Sequence, residues 1–563
     1  MLVLIEGLFS PATTCLLSAP PTLDHIFPIA LQAGTTNRVT AIGKFDPWPP
    51  KAWVDAQGIM FRPETNNGAF NIEVATNAPV GPHLVRLFNE EGASALRFLI
   101  VTHEPQLDEK EPNDDFNSPQ LIEQLPATIN GRLEKSGDVD SFAVKLQAGQ
   151  TLIASVEAFT LASPVDAVLR LLDAHGLQQT WNHDDGRTLD PFLAWTAPSA
   201  GTYVLQVFGF AYPAGSDVRF TGNNRCVYRL HLSRGPYLRH TLPLGVQRGA
   251  TTSLQLVAWN SAAAQPRDFQ FDGASLGPEV SVAPLAVPGF ENTLLLPVSD
   301  GPELVEHEPN DSTPEAHHLN APFAITGCIE KPGDVDRFSF GAKKGEKLLL
   351  AIQSASLGFP LEARLRIENI KAEELAKNDE GLLTDPQLEW SAPEDGTFVV
   401  TVSSLLHRGG PDQLYRLSVL RALAAVNITV PETSFAITAG RTNDIKIAVK
   451  RLHGFDRKLT ISAKGLCEGV TAAPAVVDTK SGDAALQLIT AREAKPFSGP
   501  IQIAATEAES GKAHFAIADL TSSSIDNGVP GGFNKLLIET TDQFWLTVFP
   551  AVASSPKLGS ASK

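Results

Sequence analysis

Residues 109–114 read EKEPND and residues 131–142 read GRLEKSGDVDSF; residues 306–311 read EHEPND and residues 327–338 read GCIEKPGDVDRF. The same pair of blocks therefore occurs twice, at closely matched spacing, and the copies stay in step beyond it. TLDPFLAWTAPSAGTYVLQV from Thr188 matches LTDPQLEWSAPEDGTFVVTV from Leu383, and Tyr228-Arg229-Leu230 matches Tyr415-Arg416-Leu417 where each copy ends. Within a copy, apolar residues alternate with polar ones, as in Phe142, Val144 and Leu146 or Tyr203, Leu205 and Val207. That is the period of a strand with one face buried. Turn clusters such as DDG and PSAG separate the runs, so each copy is predicted to be an antiparallel β-sandwich large enough for its own core.

The flanking segments are of the same kind. PTLDHIFPIALQAGTTNRV from Pro21 matches PYLRHTLPLGVQRGATTSL from Pro236, so the larger duplicated unit is a small β domain followed by a sandwich. A further β domain begins near residue 422 with NITV, FAIT and IKIAV and closes with FWLTVF around Trp545. The reading is all-β and multidomain, with jelly-roll-like and immunoglobulin-like sandwiches in tandem. Its divisions are 1–21, an export signal or disordered segment; 22–105, an immunoglobulin-like domain; 106–234, the first sandwich; 235–304, a small β domain; 305–421, the second sandwich; 422–550, an immunoglobulin-like domain; and 551–563, a disordered tail. Helix is expected only in SPQLIEQL (118–125) and KAEELAK (371–377), and the domains are expected to lie like beads on a string.

Composition narrows the function. A formal charge of -18 repels phosphate backbones and anionic headgroups, so nucleic acid is not an expected partner, whereas clustered carboxylates attract hard cations. Cys15, Cys226, Cys328 and Cys467 are too scattered for a zinc ribbon or a disulfide framework. Residues 1–20 are apolar and end in small residues like an export signal, although Glu6 and the missing basic start depart from the pattern. No stretch has the run of about 18 apolar residues needed for a transmembrane helix.

With D-x-x-L-x-L-x-D, a DD turn and AP-x-x-G-T-Y following the EPND and GDVD blocks, residues 109–234 and 306–420 resemble the bacterial pre-peptidase C-terminal domain family. That family includes the collagen-binding modules of secreted bacterial collagenases. Residues 22–105 more loosely resemble a TIG domain. The resemblance implies a secreted, cell-surface or periplasmic location and a non-catalytic role. It also implies calcium, held in the first copy by Glu109, Glu111, Asn113, Asp114, Asp138 and Asp140 and in the second by Glu306, Glu308, Asn310, Asp311, Asp334 and Asp336. Six oxygen-bearing side chains suit calcium, which takes six to eight hard ligands in flexible geometry. Pro112 and Pro309 are expected to hold the ligand segment extended. Two functions follow: a protein that binds an extracellular macromolecule, protein or polysaccharide, or a non-catalytic accessory or processed chain of a secreted peptidase system.

Other motifs read as structural. Gly273-Ala274-Ser275-Leu276-Gly277 matches the nucleophile elbow of hydrolases, but in a β-rich stretch without the helix that motif needs, so no enzyme is expected. Asp166, Asp173 and Asp184-Asp185 of the first copy become Glu362, Asn369 and Asp379 in the second, and are read as turn formers rather than as another metal site. Trp195 and Trp390 occupy equivalent positions and are read as core. Trp48 and Trp53 are read as packed loop anchors rather than as an exposed aromatic surface for a polymer.

Overall fold

The computed structural model describes residues 19–185, 188–211, 219–261, 267–379, 385–480, 482–521 and 537–551; the expected export signal and tail lie almost wholly outside them. The described chain is built from strands, with three single-turn 3-10 segments at Phe159–Leu161, Thr313–Glu315 and Ala355–Leu357. No described helix is long and apolar enough to cross a membrane.

The two copies share one topology. In the first, strands Gln106–Asp108, Ala127–Arg132, Val227–Ser233, Thr151–Glu157 and Phe192–Thr196 lie side by side in that order. The facing sheet runs Gln120–Leu121, Asp140–Leu146, Gly201–Ala211, Val165–Leu172 and Gln178–Asn182. The second copy repeats both orders, from Glu303–Val305 to Gln387–Ser391 and from His317–Leu319 to Glu374–Asn378. The sheets are antiparallel except at one edge of each, where the short entering strand pairs in parallel. Matching residues fill the cores: Phe142, Leu169, Tyr203 and Leu205 in one, Phe338, Leu365, Phe398 and Val400 in the other. Each such side chain contributes about 1.5–3 kcal/mol on burial, so the alternation in sequence is what selects the buried face.

Both expected helices are absent. Gln120–Leu121 and Glu374–Asn378 are strands, because each residue run completes a sheet edge whose pairing outweighs a short segment's helix propensity.

Other β-sheet units flank the sandwiches. Strands between Thr22 and Thr102 form a four-stranded and a five-stranded sheet, those between Tyr237 and Ser299 form two three-stranded sheets, and those from Ala425 to Phe549 form a four-stranded, a six-stranded and a two-stranded sheet. Side chains stitch successive units together. The Asn130 amide accepts from Ala30 N at 2.9 Å and donates to Ala30 O at 3.3 Å. At the equivalent position Thr326 Oγ1 accepts from Leu244 N at 2.8 Å.

The chain also closes on itself, unlike beads on a string. Arg86, fully buried, donates to Ser434 Oγ at 2.6 Å and Thr433 O at 3.0 Å, and Trp53 and Phe88 pack on Trp545 at 6.0 and 4.8 Å. Nothing in the local sequence announces this contact between the first and last units. Trp48 also packs inward, against Phe70 at 5.0 Å with its indole N–H on Glu64 O, so neither loop tryptophan forms an exposed platform.

Candidate metal centres at the domain junctions

Each EPND segment follows the short strand that leaves a small domain, and each GDVD segment forms the turn that opens the facing sheet. In that turn Asp138 Oδ2 accepts from the backbone of Glu134 at 2.5 Å, and Asp334 Oδ2 accepts from Glu330 at 2.6 Å. The aspartate that closes the turn therefore has one oxygen committed and the other turned inward. Glu111 and Glu308 similarly accept from Asn113 N and Asn310 N, at 3.1 and 3.0 Å. The ligand segments, residues 109–114 and 306–311, belong to no strand.

The fold brings part of each named set together, leaving Glu109 out of the first group and Asp311 and Asp334 out of the second. In the first sandwich one carboxylate oxygen each from Glu111, Asp114, Asp138 and Asp140 lies within 4.8 Å of all the others. In the second, Glu306, Glu308 and Asp336 do the same. Asn113, Asp138 and Asp140, and likewise Asn310, Asp334 and Asp336, are at most 2% exposed. Yet Oδ1 of all six, and Nδ2 of Asn113, have no hydrogen-bond partner. A buried polar atom left unpaired costs about 1–3 kcal/mol, and both sites concentrate this cost at one point.

A tyrosine closes each site, and it is the functional residue that the sequence reading used only as a repeat marker. The Tyr228 hydroxyl donates to Asp140 Oδ2 at 2.5 Å and lies 3.3 Å from Glu109 Oε2. Tyr415 donates to Asp336 at 2.5 Å and lies 3.4 Å from Glu306. Its signal was a glycine as much as the tyrosine itself. A Cβ on Gly131 or Gly327 would overlap the tyrosine ring, so only glycine lets the phenol reach the carboxylates.

The electrostatics follow from burial and crowding. Burial pushes Glu109 and Glu306 up to about 7, and burial with the neighbouring Glu306 charge pushes Asp336 up to about 9. Asp140 rises well above its usual range for the same two reasons, burial and then Glu109, and burial raises Asp138 to about 6. The balancing cation supplied by each loop is a rim lysine. Lys135 Nζ sits 2.6 Å from Asp114 and 3.6 Å from Asp138 Oδ1, and Lys331 Nζ sits 3.2 Å from Asp311 and 3.4 Å from Asp334 Oδ1. Both lysines are mostly exposed, so one solvated ammonium faces a buried carboxylate cluster. A hard dication fits this donor set, in which every donor is an oxygen.

The remaining motifs take structural places. Ser275 lies in a turn between strands Asp268–Asp272 and Val282–Ala286, where no helix follows. Asp173 and Asn369 shape hairpin turns, accepting from His175 N and Leu177 N and from Lys371 N and Glu373 N. Trp195 and Trp390 stack edge-on against Tyr203 and Phe398 at 4.9 and 4.8 Å, between the sheets. Cys226, Cys328 and Cys467 are free thiols.

No family model matches this chain. A probable subtilase-type serine protease of Deinococcus radiodurans is 31% identical to it over 101 residues, a stretch covering 17% of this chain and 14% of the protease. The match thus spans a small part of that relative's length. Among solved structures, the pre-peptidase C-terminal domain of a collagenase from Bacillus anthracis aligns over 99% of its own length and 20% of this chain, at 13% identity and a TM-score of 0.16. The N-terminal eight Ig domains of Down Syndrome Cell Adhesion Molecule align over 62% of their length and 89% of this chain, at 8% identity and a TM-score of 0.14.

Proposed function

We propose that this protein is a non-catalytic, extracellular or cell-surface binding protein in which calcium locks each sandwich to the small domain before it. The observation that carries the reading is the convergence, twice, of buried carboxylate and amide groups, each with an oxygen that accepts no hydrogen bond. Glu111, Asn113, Asp114, Asp138 and Asp140 would hold the ion in the first sandwich, with Glu109 and Tyr228 behind them. Glu306, Glu308, Asn310, Asp334 and Asp336 would do so in the second, with Asp311 at the rim and Tyr415 behind. When bound, calcium supplies the positive charge that lets these carboxylates ionise together. The protein's own residues do the rest, since they join the linker to the turn and so set the angle between neighbouring units.

The second reading, an accessory or processed chain of a secreted peptidase system, is favoured by one observation, the partial match to a subtilase-type protease. On either reading the partner is a protein or polysaccharide outside the cell, bound through surfaces that rigid junctions hold in register. Calorimetric titration of the full chain with calcium tests the metal reading. At least one equivalent per sandwich is expected, with Asp138→Ala removing the first share and Asp334→Ala the second. Titrations flat for the native chain, or unchanged in both variants, would remove calcium from the account.

A further inference from the structure

A second kind of site lies on the outer face of the first sandwich, away from the junction. Strand Val165–Leu172 turns Val165, Ala167, Leu169 and Leu171 into the core, which places Asp166 on the opposite face. The hairpin strand Gln178–Asn182 pairs with it through Leu169 and Asn182 and delivers His183 and Asp184 to the same end. One donor atom each from Asp166, His183 and Asp184 lies within 4.8 Å of the others. The His183 ring is stacked on the Trp181 indole at 5.4 Å and 20°, which fixes its plane. Oδ1 of Asp166 and Oδ1 of Asp184 are both buried atoms with no hydrogen-bond donor.

The second sandwich shows what this position requires. There Leu365 pairs with Asn378 as Leu169 pairs with Asn182, so Asp379 corresponds to His183, one residue off the alignment that the DDG and DEG turns suggest. Arg364, at the position of Val168, puts Nε 3.4 Å from Asp379, and Lys377 adds its ammonium at 3.9 Å. The second copy thus balances its carboxylate with its own cations. In the first copy the arginine is a valine and the lysine is Trp181, and among the described residues no Lys or Arg forms an ion pair with Asp166 or Asp184, although His183 Nδ1 lies 2.9 Å from Asp184 Oδ2. Burial and the Asp184 charge accordingly raise Asp166 to about 6.

We propose that Asp166, His183 and Asp184 form a site for a divalent transition-metal ion, with zinc the best match. One imidazole nitrogen with two carboxylate oxygens suits zinc and leaves a position for water, whereas calcium prefers oxygen throughout. The ion takes the place that Arg364 fills in the second copy and fastens the hairpin carrying Trp181 to the sheet. The site does not depend on the junction sites or on their metal.

The test is a zinc titration of the full chain with calcium present in excess, followed calorimetrically and, with cobalt in place of zinc, by visible absorption. One equivalent is expected, with a cobalt spectrum showing a nitrogen ligand. His183→Ala and Asp166→Asn should each weaken binding about tenfold or more, while Asp379→Asn, at the corresponding place in the second sandwich, leaves it unchanged. His183 is half-exposed, so its removal leaves the fold intact, which a melting curve verifies. No zinc uptake, uptake indifferent to His183→Ala, or uptake that calcium displaces would each overturn the proposal.

Discussion

The two sandwiches share strand order, core residues and a tyrosine-capped carboxylate cluster, yet they differ in how they handle charge outside it. On the outer face the second is laced with ion pairs: Arg337–Glu368 at 2.6 Å, Arg364–Asp379 at 3.4 Å and Arg366–Glu374 at 3.5 Å. The first replaces these with rings, Arg170 lying 4.9 Å over Phe208, Phe208 packing on Phe220 at 4.5 Å, and Trp181 half-exposed. The linker strands differ as well. Arg416 is buried in a forked pair with Glu303 at 2.6 and 3.1 Å, and its Nη1 also donates to Gln353. Its counterpart Arg229 turns to the half-exposed Glu157 at 2.8 Å, and the glutamine now stands in the linker as Gln106. Acid and amide have exchanged places around one arginine. The junction clusters, each with its rim lysine, are common to both copies despite these differences in surface and linker.

The largest effects should come from the shared core. Trp390→Ala removes a nearly buried ring and should cost about 3–5 kcal/mol, with Trp195→Ala costing less because that ring is less enclosed. Denaturant unfolding of the two variants measures the difference, and equal losses would show that the cores are not packed as unequally as they look.

The exchanged acid gives the next contrast. Glu303→Gln leaves the buried Arg416 charge without its partner and should cost about 3–5 kcal/mol, whereas Glu157→Gln removes an exposed partner and should cost about 0–1 kcal/mol. Melting of both variants at one calcium concentration is the check.

A pH series sharpens the comparison at the clusters. Without a cation, Glu109 and Glu306 at about 7 and Asp336 at about 9 hold protons in the folded state that the unfolded chain has released. Their contribution is whole below the ordinary carboxylate range and is lost as pH rises through these values, so chelated protein should melt lower at pH 8 than at pH 5. With calcium bound the slope should flatten, because the ion holds the carboxylates ionised. The smallest effect is at Ser275→Ala, which sits in an ordinary turn and should shift stability by no more than about 0.5 kcal/mol.

The sandwiches were legible in the sequence because one-faced burial imposes a period of two, and because a repeat prints the pattern twice. KAEELAK misled because helix formers in so short a run have no nucleus to sustain them, while Glu374–Asn378 has a sheet edge waiting. The junction acids were legible as residue types. Their closing tyrosines were not, since Tyr228 and Tyr415 reach the site only through the gap over Gly131 and Gly327. The closure of Arg86 onto Ser434, 348 residues apart, leaves no local mark at all.

The central claim, that a cation rather than turn chemistry completes the two junctions, is tested most directly by limited proteolysis and melting of the full chain in calcium and in chelator. Calcium at a hundredfold excess over its dissociation constant should add about 2.7 kcal/mol per site, raise the melting temperature and protect residues 109–114 and 306–311 from cleavage. Identical melting curves and identical cleavage at both segments in the two conditions would contradict it.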